Sequence, residues 1–380
     1  MSGSRKYFDL ADRRHLRCTP FAFIGAVLVA SVVGLGVAPV HASPTTKTKA
    51  RPKTARAQTA NTEGQEAKPA PPRKLYSAAR SQTRRATLAR ARAAATAREM
   101  AETILPRYKV DASGDLVPDV RAAAAIIYDP DTNEVLWEEN SQDQRSIASI
   151  TKVMTATVFL ENDPDLNEQI TVARSDVLAA STTYLRTNDK VTVDDLLHLL
   201  LIASDNAAAR ALARVSPWGS QGFVQRMNEK AAELGLLNTQ YADPSGLLSD
   251  NVSSAYDMAR LITFASGDDR IGSIMRLPDY TVYTGNRRVL TFRTTNHLIG
   301  LQDVEVRAGK TGFISKAGYC LATMLRLPQN GQQIAVVVLG ARSNAGRFME
   351  ARNLFNWLSA RASTVIATTT TATPVAQPQP

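Results

Sequence analysis

Three short stretches of the chain hold residue types that could do chemistry together. In SIASITKVM, Ser149 precedes Lys152 by three positions inside an otherwise apolar run. Residues three apart on a helix share one face, so hydroxyl and amine would point the same way. A serine becomes a strong nucleophile only when a base takes its proton. A lysine in apolar surroundings has its charged form disfavoured, so its amine can be that base near neutral pH. The start of a helix also favours a developing negative charge. Ser149 is the only serine of the sequence with a lysine three residues on.

The second stretch is Ser204-Asp205-Asn206, which interrupts two apolar helical runs. The Ser204 hydroxyl could relay a proton, and the Asn206 amide could hold both a lysine and a substrate amide. A polar kink between helices would read the same way. The third is Lys310-Thr311-Gly312, the only Lys-Thr-Gly in the chain, on an expected strand. Lys310 offers a cation and Thr311 a hydroxyl, suited to a substrate carboxylate, and Gly312 lets a ligand approach the backbone closely. A second Ser-Asp-Asn, at 249–251, follows the turn Pro244-Ser245-Gly246 and precedes a helix, where Ser and Asn are expected to cap.

The elements that must position these residues follow from the apolar pattern. AAAAIIYDP and NEVLWEEN flank the turn DPDT as a hairpin. Helical spacing runs from Ser149 to about Leu160, through the runs on either side of residues 204–206, and through QGFVQRMNEKAAELGL, closed by Gly235. SSAYDMARLITFAS is a further helix. VLTFRTTNHL, VEVRAGKTGF, YCLATMLRL and QIAVVVLGA read as strands, with Asn330-Gly331 joining the last two tightly, and GRFMEARNLFNWLSARA closes as a helix. Strands at both ends and helices between predict an α+β fold: one antiparallel sheet built from both ends of the domain and backed by a helical subdomain.

Charge and cysteine content narrow the class. The net charge of +10 invites a nucleic-acid reading, but residues 43–100 alone carry +11 and residues 1–42 carry +3, leaving −4 for the rest. The folded part is mildly acidic, and no nucleic-acid partner is expected. Cys18 and Cys320 are the only cysteines, so a disulfide framework is excluded. Only His198 and His297 lie beyond the leader, so neither a Cys/His metal site nor a His-based triad is expected, and no cofactor is called for. His198 sits in a leucine-rich helix and reads as packed, while His297 could line the site.

The basic leader MSGSRKYFDLADRRHLR, the uncharged FAFIGAVLVASVVGLGVAPV and the site Val40-His41-Ala42 read as a secretory signal over residues 1–42. Its apolar run is also long enough for an uncleaved membrane tether. Residues 43–117 read as a basic, largely disordered linker with a helix over 75–104 that could meet anionic envelope polymer or lipid. The catalytic domain is expected over 118–362 and a disordered tail over 363–380. The expected location is extracytoplasmic, such as a periplasm.

The three motifs in that order, together with MNEKAAELGLLNTQYADPSGL, TNHL and KTGFISKAGYCLA, resemble the low-molecular-mass penicillin-binding proteins. These are serine DD-peptidases of the D-alanyl-D-alanine carboxypeptidase kind, and the resemblance covers about residues 118–360. It implies that Ser149 attacks the carbonyl of a D-Ala-D-Ala bond in a peptidoglycan stem peptide, and that Lys152 takes its proton. Ser204 and Asn206 would relay the proton and hold the substrate, with Lys310 completing the network. Lys310 and Thr311 would receive the terminal carboxylate. The backbone N–H groups of Ser149 and Phe313, beside Gly312, would form an oxyanion hole, with Arg347 helping to bind. β-Lactams would acylate the same serine.

Within the family, many carboxypeptidases carry an additional β-rich domain and amphipathic anchor, neither of which is expected after KTGFISKAGYC here, and with IASITK and TNHL this also resembles the smaller DD-endopeptidases. Carboxypeptidase is the first reading and endopeptidase the second. A β-lactamase would need a second carboxylate base, for which GLLNTQYADPSGL offers only Asp243, and a non-catalytic β-lactam-binding module would not need the full motif set.

Overall fold

The strand Ala124–Asp129 (β1) shows how one sequence run serves two cores. Side chains alternate across a strand, so Ala124, Ile126 and Tyr128 enter one cluster while Ala125 and Ile127 enter another. All six residues of β1 are buried, so both faces of its sheet must be covered. In the computed structural model, which describes residues 76–371, they are. The expected leader, the linker up to residue 75 and the end of the tail lie outside the described residues.

The sheet has five strands. β1 pairs with Glu134–Glu139 (β2) as the expected hairpin, and the others are Glu305–Ile314 (β3), Gly318–Arg326 (β4) and Gln333–Ala341 (β5). The order is β3-β4-β5-β1-β2, antiparallel throughout, so the two chain ends meet where β5 pairs with β1. β3 lies at the edge. The β4–β5 connection is longer than an Asn-Gly turn: Leu327 donates from its backbone N to the Gln332 carbonyl at 2.8 Å, with Gly331 at φ 75° inside the loop.

One face of the sheet carries the helical half. This comprises Thr151–Phe159 (α2), Val193–Leu201 (α3), Asn206–Val215 (α4), Gly219–Glu233 (α5) and Ala255–Ser266 (α6), after an N-terminal helix Tyr76–Ile104 (α1). α2 is buried all round, as a helix at the centre of a bundle must be. The caps are local. Thr192 accepts from Asp195 N, and Asp205 from Ala208 N, so the middle residue of Ser204-Asp205-Asn206 starts α4. The second Ser-Asp-Asn does not cap: Ser254 starts α6 instead, while Asn251 is fully buried and binds Asp243 and the Leu248 carbonyl.

The other face is covered by Asn344–Thr371 (α7), which presents Phe348, Ala351, Leu354 and Phe355 to the sheet at helical spacing. Two boundaries differ from expectation. α7 continues into the Thr-rich segment expected to be disordered from residue 363. Ahead of the boundary expected at 118, Tyr108–Val110 pairs with Leu116–Pro118. That hairpin is held to α7, since the Trp357 indole donates to the Leu116 carbonyl at 3.3 Å. The hairpin carries little apolar pattern of its own and takes its order from the surface it meets. α1 exposes Arg84, Arg85, Arg90, Arg92 and Arg98.

Candidate active site

Three parts of the chain converge at the edge of β3. Ser149 lies in a single 3-10 turn, Ala148–Ile150, that leads straight into α2. Ser204 and Asn206 come from the α3–α4 junction, and Lys310 to Phe313 from β3 itself. Between them lies a cleft of about 550 Å3, lined by Ser149, Ser204, Asn206, Thr311, Phe313 and Arg347 among others. All nine residues singled out from the sequence are in its wall or directly behind it.

The expected pairing of Ser149 with Lys152 is present, with Lys152 Nζ 2.9 Å from Ser149 Oγ. The amine is also 2.6 Å from Asn206 Oδ1 and 2.5 Å from the Ser245 carbonyl. Those two oxygens can only accept, so they claim two N–H groups of the amine. The remaining tetrahedral position faces Ser149. In the neutral amine that position is a lone pair, aimed at the hydroxyl proton. Lys152 is fully buried, and burial pulls its amine down to about 7, against the opposing charges of Asp205 and Asp243.

Lys310 is almost as buried and donates to Ser204 Oγ at 2.7 Å and to the Thr311 carbonyl at 3.0 Å. Burial first, then the charges of Lys152 and Arg347, hold its amine well below the ordinary lysine range. Thr311 Oγ1 donates to Thr295 Oγ1 at 2.6 Å, and Asn206 Nδ2 to the Ala180 carbonyl at 2.7 Å. Each amine is thus reached from the cleft through a hydroxyl, Ser149 for one and Ser204 for the other.

Close backbone packing explains the glycines. A Cβ on Gly312 would lie 2.6 Å from the Ile147 carbonyl and 3.1 Å from Ser149 N, so only glycine lets β3 press against the turn that carries Ser149. Gly246, at φ 78°, packs in the same way onto the Ala148 carbonyl. Ala148 and Ser204 hold φ values of 50° and 59°, a conformation that costs non-glycine residues on the order of 1 kcal/mol each. Such strain falls at Ser204 and directly before Ser149, the two residues whose hydroxyls reach the buried amines.

Arg347 is buried, with Nη1 donating to the carbonyls of Gly312 (2.9 Å) and Cys320 (3.1 Å). Burial lowers its guanidinium to about 10, while Nε has no hydrogen-bond partner among the described residues. His198 is packed, stacked on Tyr280 with centroids 3.8 Å apart. His297 stacks on Phe348 and does not line the cleft.

The Ser245 carbonyl and Thr295 escaped the sequence reading, which named Asp205 and Asp243 without the parts they play here. The signal for two of them was the turn Asp243-Pro244-Ser245-Gly246. Asp243 Oδ1 accepts from Ser245 N (2.6 Å), Gly246 N (2.9 Å) and Ser245 Oγ (2.6 Å), and Oδ2 from Leu248 N and Asn251 Nδ2. Burial opposes its charge, but these donors outweigh it and hold the carboxyl below the usual range. Asp243 is therefore the clamp of the loop that brings the Ser245 carbonyl to Lys152. It is not a second base open to the cleft.

A five-stranded antiparallel sheet with a helical half, and a Ser–Lys pair at its edge strand, define the serine DD-peptidase class. Residues 111–343 match the D-alanyl-D-alanine carboxypeptidase family, and the chain belongs to that family. It is 34% identical over 244 residues to the D-alanyl-D-alanine endopeptidase of Escherichia coli (strain K12), covering 63% of this chain and 78% of that protein. Among solved structures it is similar to the DD-transpeptidase of Streptomyces K15, with TM-score 0.60 and 27% identity over 64% of this chain and 98% of that one. It is also similar to the D-alanyl-D-alanine carboxypeptidase of Mycobacterium tuberculosis H37Rv, with TM-score 0.59 and 26% identity over 64% of this chain and 93% of that one.

Proposed function

We propose that the protein hydrolyses the D-alanyl amide of peptidoglycan stem peptides through an acyl-enzyme on Ser149. The observation that carries this reading is the Lys152 amine, buried and 2.9 Å from Ser149 Oγ with its other two positions taken by acceptors. Neutral Lys152 takes the Ser149 proton as Oγ attacks the carbonyl carbon. The backbone N–H groups of Ser149 and Phe313 receive the oxyanion, a contribution of about 3 kcal/mol per donor in such sites. The tetrahedral adduct collapses when the leaving amine gains a proton from Lys152, with Ser204 and Lys310 completing the relay. Water then repeats the sequence and frees the acid. Lys310 and Thr311 hold the terminal carboxylate of the substrate, and Arg347 keeps Gly312 in place through its carbonyl. β-Lactams acylate the same serine.

When the leaving amine is free D-alanine, the protein is a carboxypeptidase, which is our primary reading. Its likeness to the E. coli endopeptidase supports a second, in which the leaving amine is the side chain of a neighbouring stem and a cross-link is cut. Export follows from the leader at residues 1–42, and α1 offers its arginines to anionic envelope polymer. Incubating the protein with a pentapeptide muropeptide and a cross-linked dimer, followed by mass spectrometry, tests the reading. Loss of one alanine establishes the carboxypeptidase, a split dimer the endopeptidase, and neither product refutes both.

A further inference from the structure

The catalytic cleft does not end at Phe313. Past Phe313 and Ser315, which line both spaces, a second cleft of about 520 Å3 opens along the turn between β3 and β4. Its charge is one-sided. Arg145, Lys316 and Arg342 line it, and none of its ten lining residues is acidic. None of the three takes part in an ion pair among the described residues, whereas Arg214, Arg226, Arg270 and Arg288 each meet a carboxylate. Arg145 Nε is buried and has no hydrogen-bond partner there. Its guanidinium lies against Gly340, where a Cβ would approach Nη2 to 3.0 Å. The wall between the two clefts is stiff: Phe313 stacks on Tyr319 with centroids 4.2 Å apart, and the Arg347 guanidinium backs Tyr319.

Topology says which part of a substrate would reach this space. β3 is an edge strand, so a peptide can pair along it as an added strand. With its terminal carboxylate at Lys310 and Thr311, an antiparallel peptide runs back past Gly312 and Phe313 towards Ser315 and Lys316. At about 3.4 Å per residue, the residue just upstream of the acylated D-alanine arrives beside the basic cleft. Arg145 keeps a buried N–H without a partner among the described residues, and the exposed Lys316 and Arg342 add positive charge beside it, so an anion entering this cleft gains a charge-assisted contact.

We propose that this cleft receives a carboxylate carried by the acyl half of the substrate, on the residue immediately upstream of the D-alanine that Ser149 attacks. Stem peptides with a free side-chain carboxylate at their third residue are then preferred over those in which that group is amidated. The inference rests on the DD-peptidase reading above.

The test uses two pentapeptides that differ only in a free or amidated side-chain carboxylate at the third residue. The free acid is expected to show a kcat/KM roughly tenfold higher, carried by KM, as for a charge-assisted contact. The preference should shrink as salt rises from about 0.05 M to about 0.5 M, because Lys316 and Arg342 are exposed to screening. Arg145→Gln should bring the ratio towards one. The double variant Lys316→Gln/Arg342→Gln alters only exposed side chains and guards against a folding defect at Arg145. Equal cleavage of both peptides by the unaltered protein overturns the proposal and leaves the peptidase reading standing, as does a preference that survives all three substitutions. Cleavage of neither peptide overturns both.

Discussion

Two clusters of charge in this molecule obey opposite rules. On the outer face of the helical half, Arg226 binds Glu161 at 2.8 Å and Glu233 at 2.6 Å, and Lys230 binds the same two carboxylates at 2.6 and 2.9 Å. Every cation has an anion. Hydrogen bonds from Arg226 and Lys230 bring Glu233 down to about 2, and burial of Lys230 is outweighed by its partners, which raise it. In the cleft, Lys152, Lys310 and Arg347 accumulate with no carboxylate hydrogen-bonded to any of them among the described residues, and burial pulls all three down. The first cluster stabilises its own charges. The second destabilises them, and a destabilised lysine is a base. Departure from the ordinary pairing rule is what separates a reactive site from a surface ion network.

Substitutions can break that contrast, beginning with the largest effect. Ser149→Ala should abolish covalent penicillin labelling and lower peptide turnover by roughly four orders of magnitude or more, with unchanged circular dichroism. Labelling that persists would disprove the nucleophile. Lys152→Met keeps the volume and removes the base, so the acylation rate should fall by about 10^2 to 10^4. Stopped-flow acylation at near-normal speed would move the base elsewhere. Gly246→Ala forces a Cβ onto the Ala148 carbonyl at φ 78° and should cost about 1–3 kcal/mol in unfolding, with acylation slowed as well.

The pH dependence sharpens the contrast. Below about 7 the Lys152 amine is protonated and has no lone pair for the Ser149 proton. Acylation should therefore rise about tenfold per pH unit up to that point and level off above it. A flat profile between pH 5 and 8 would contradict a buried amine as base. The smallest effect belongs to the outer cluster: Lys230→Met should leave acylation alone and lower stability by about 1 kcal/mol or less, since Glu233 is half exposed and Glu161 keeps its pair with Arg226. A large change in acylation there would mean that the two clusters are coupled.

Much of this was legible beforehand, and for identifiable reasons. Short continuous apolar runs in β1 and β5, bounded by turn residues, and helical spacing in α2 to α6 made the sheet, the helices and their order readable. Ser149, Lys152, Asn206 and Lys310 were visible because side-chain chemistry is written in residue type. What stayed hidden was backbone. The Ser245 carbonyl could be contributed by any residue, and its place depends on Asp243 folding a turn around itself. The hairpin at 108–118 was invisible because contact with α7 orders it, not a pattern of its own. The misread cap at 249–251 failed for a related reason, since Asn251 spends its amide on Asp243 rather than on a helix start.

The place of β3 in the chain has a consequence in time. Ser149 and Lys152 are neighbours in sequence and can meet as soon as α2 forms, but Gly312, which presses on their turn, lies about 160 residues later. β1 cannot find its sheet partner β5 until residue 341 has emerged. A chain made from its N-terminus therefore carries the Ser149–Lys152 pair through most of synthesis without the surface that packs against it. Reactivity here is a property of the finished chain, and it arrives with the last strand.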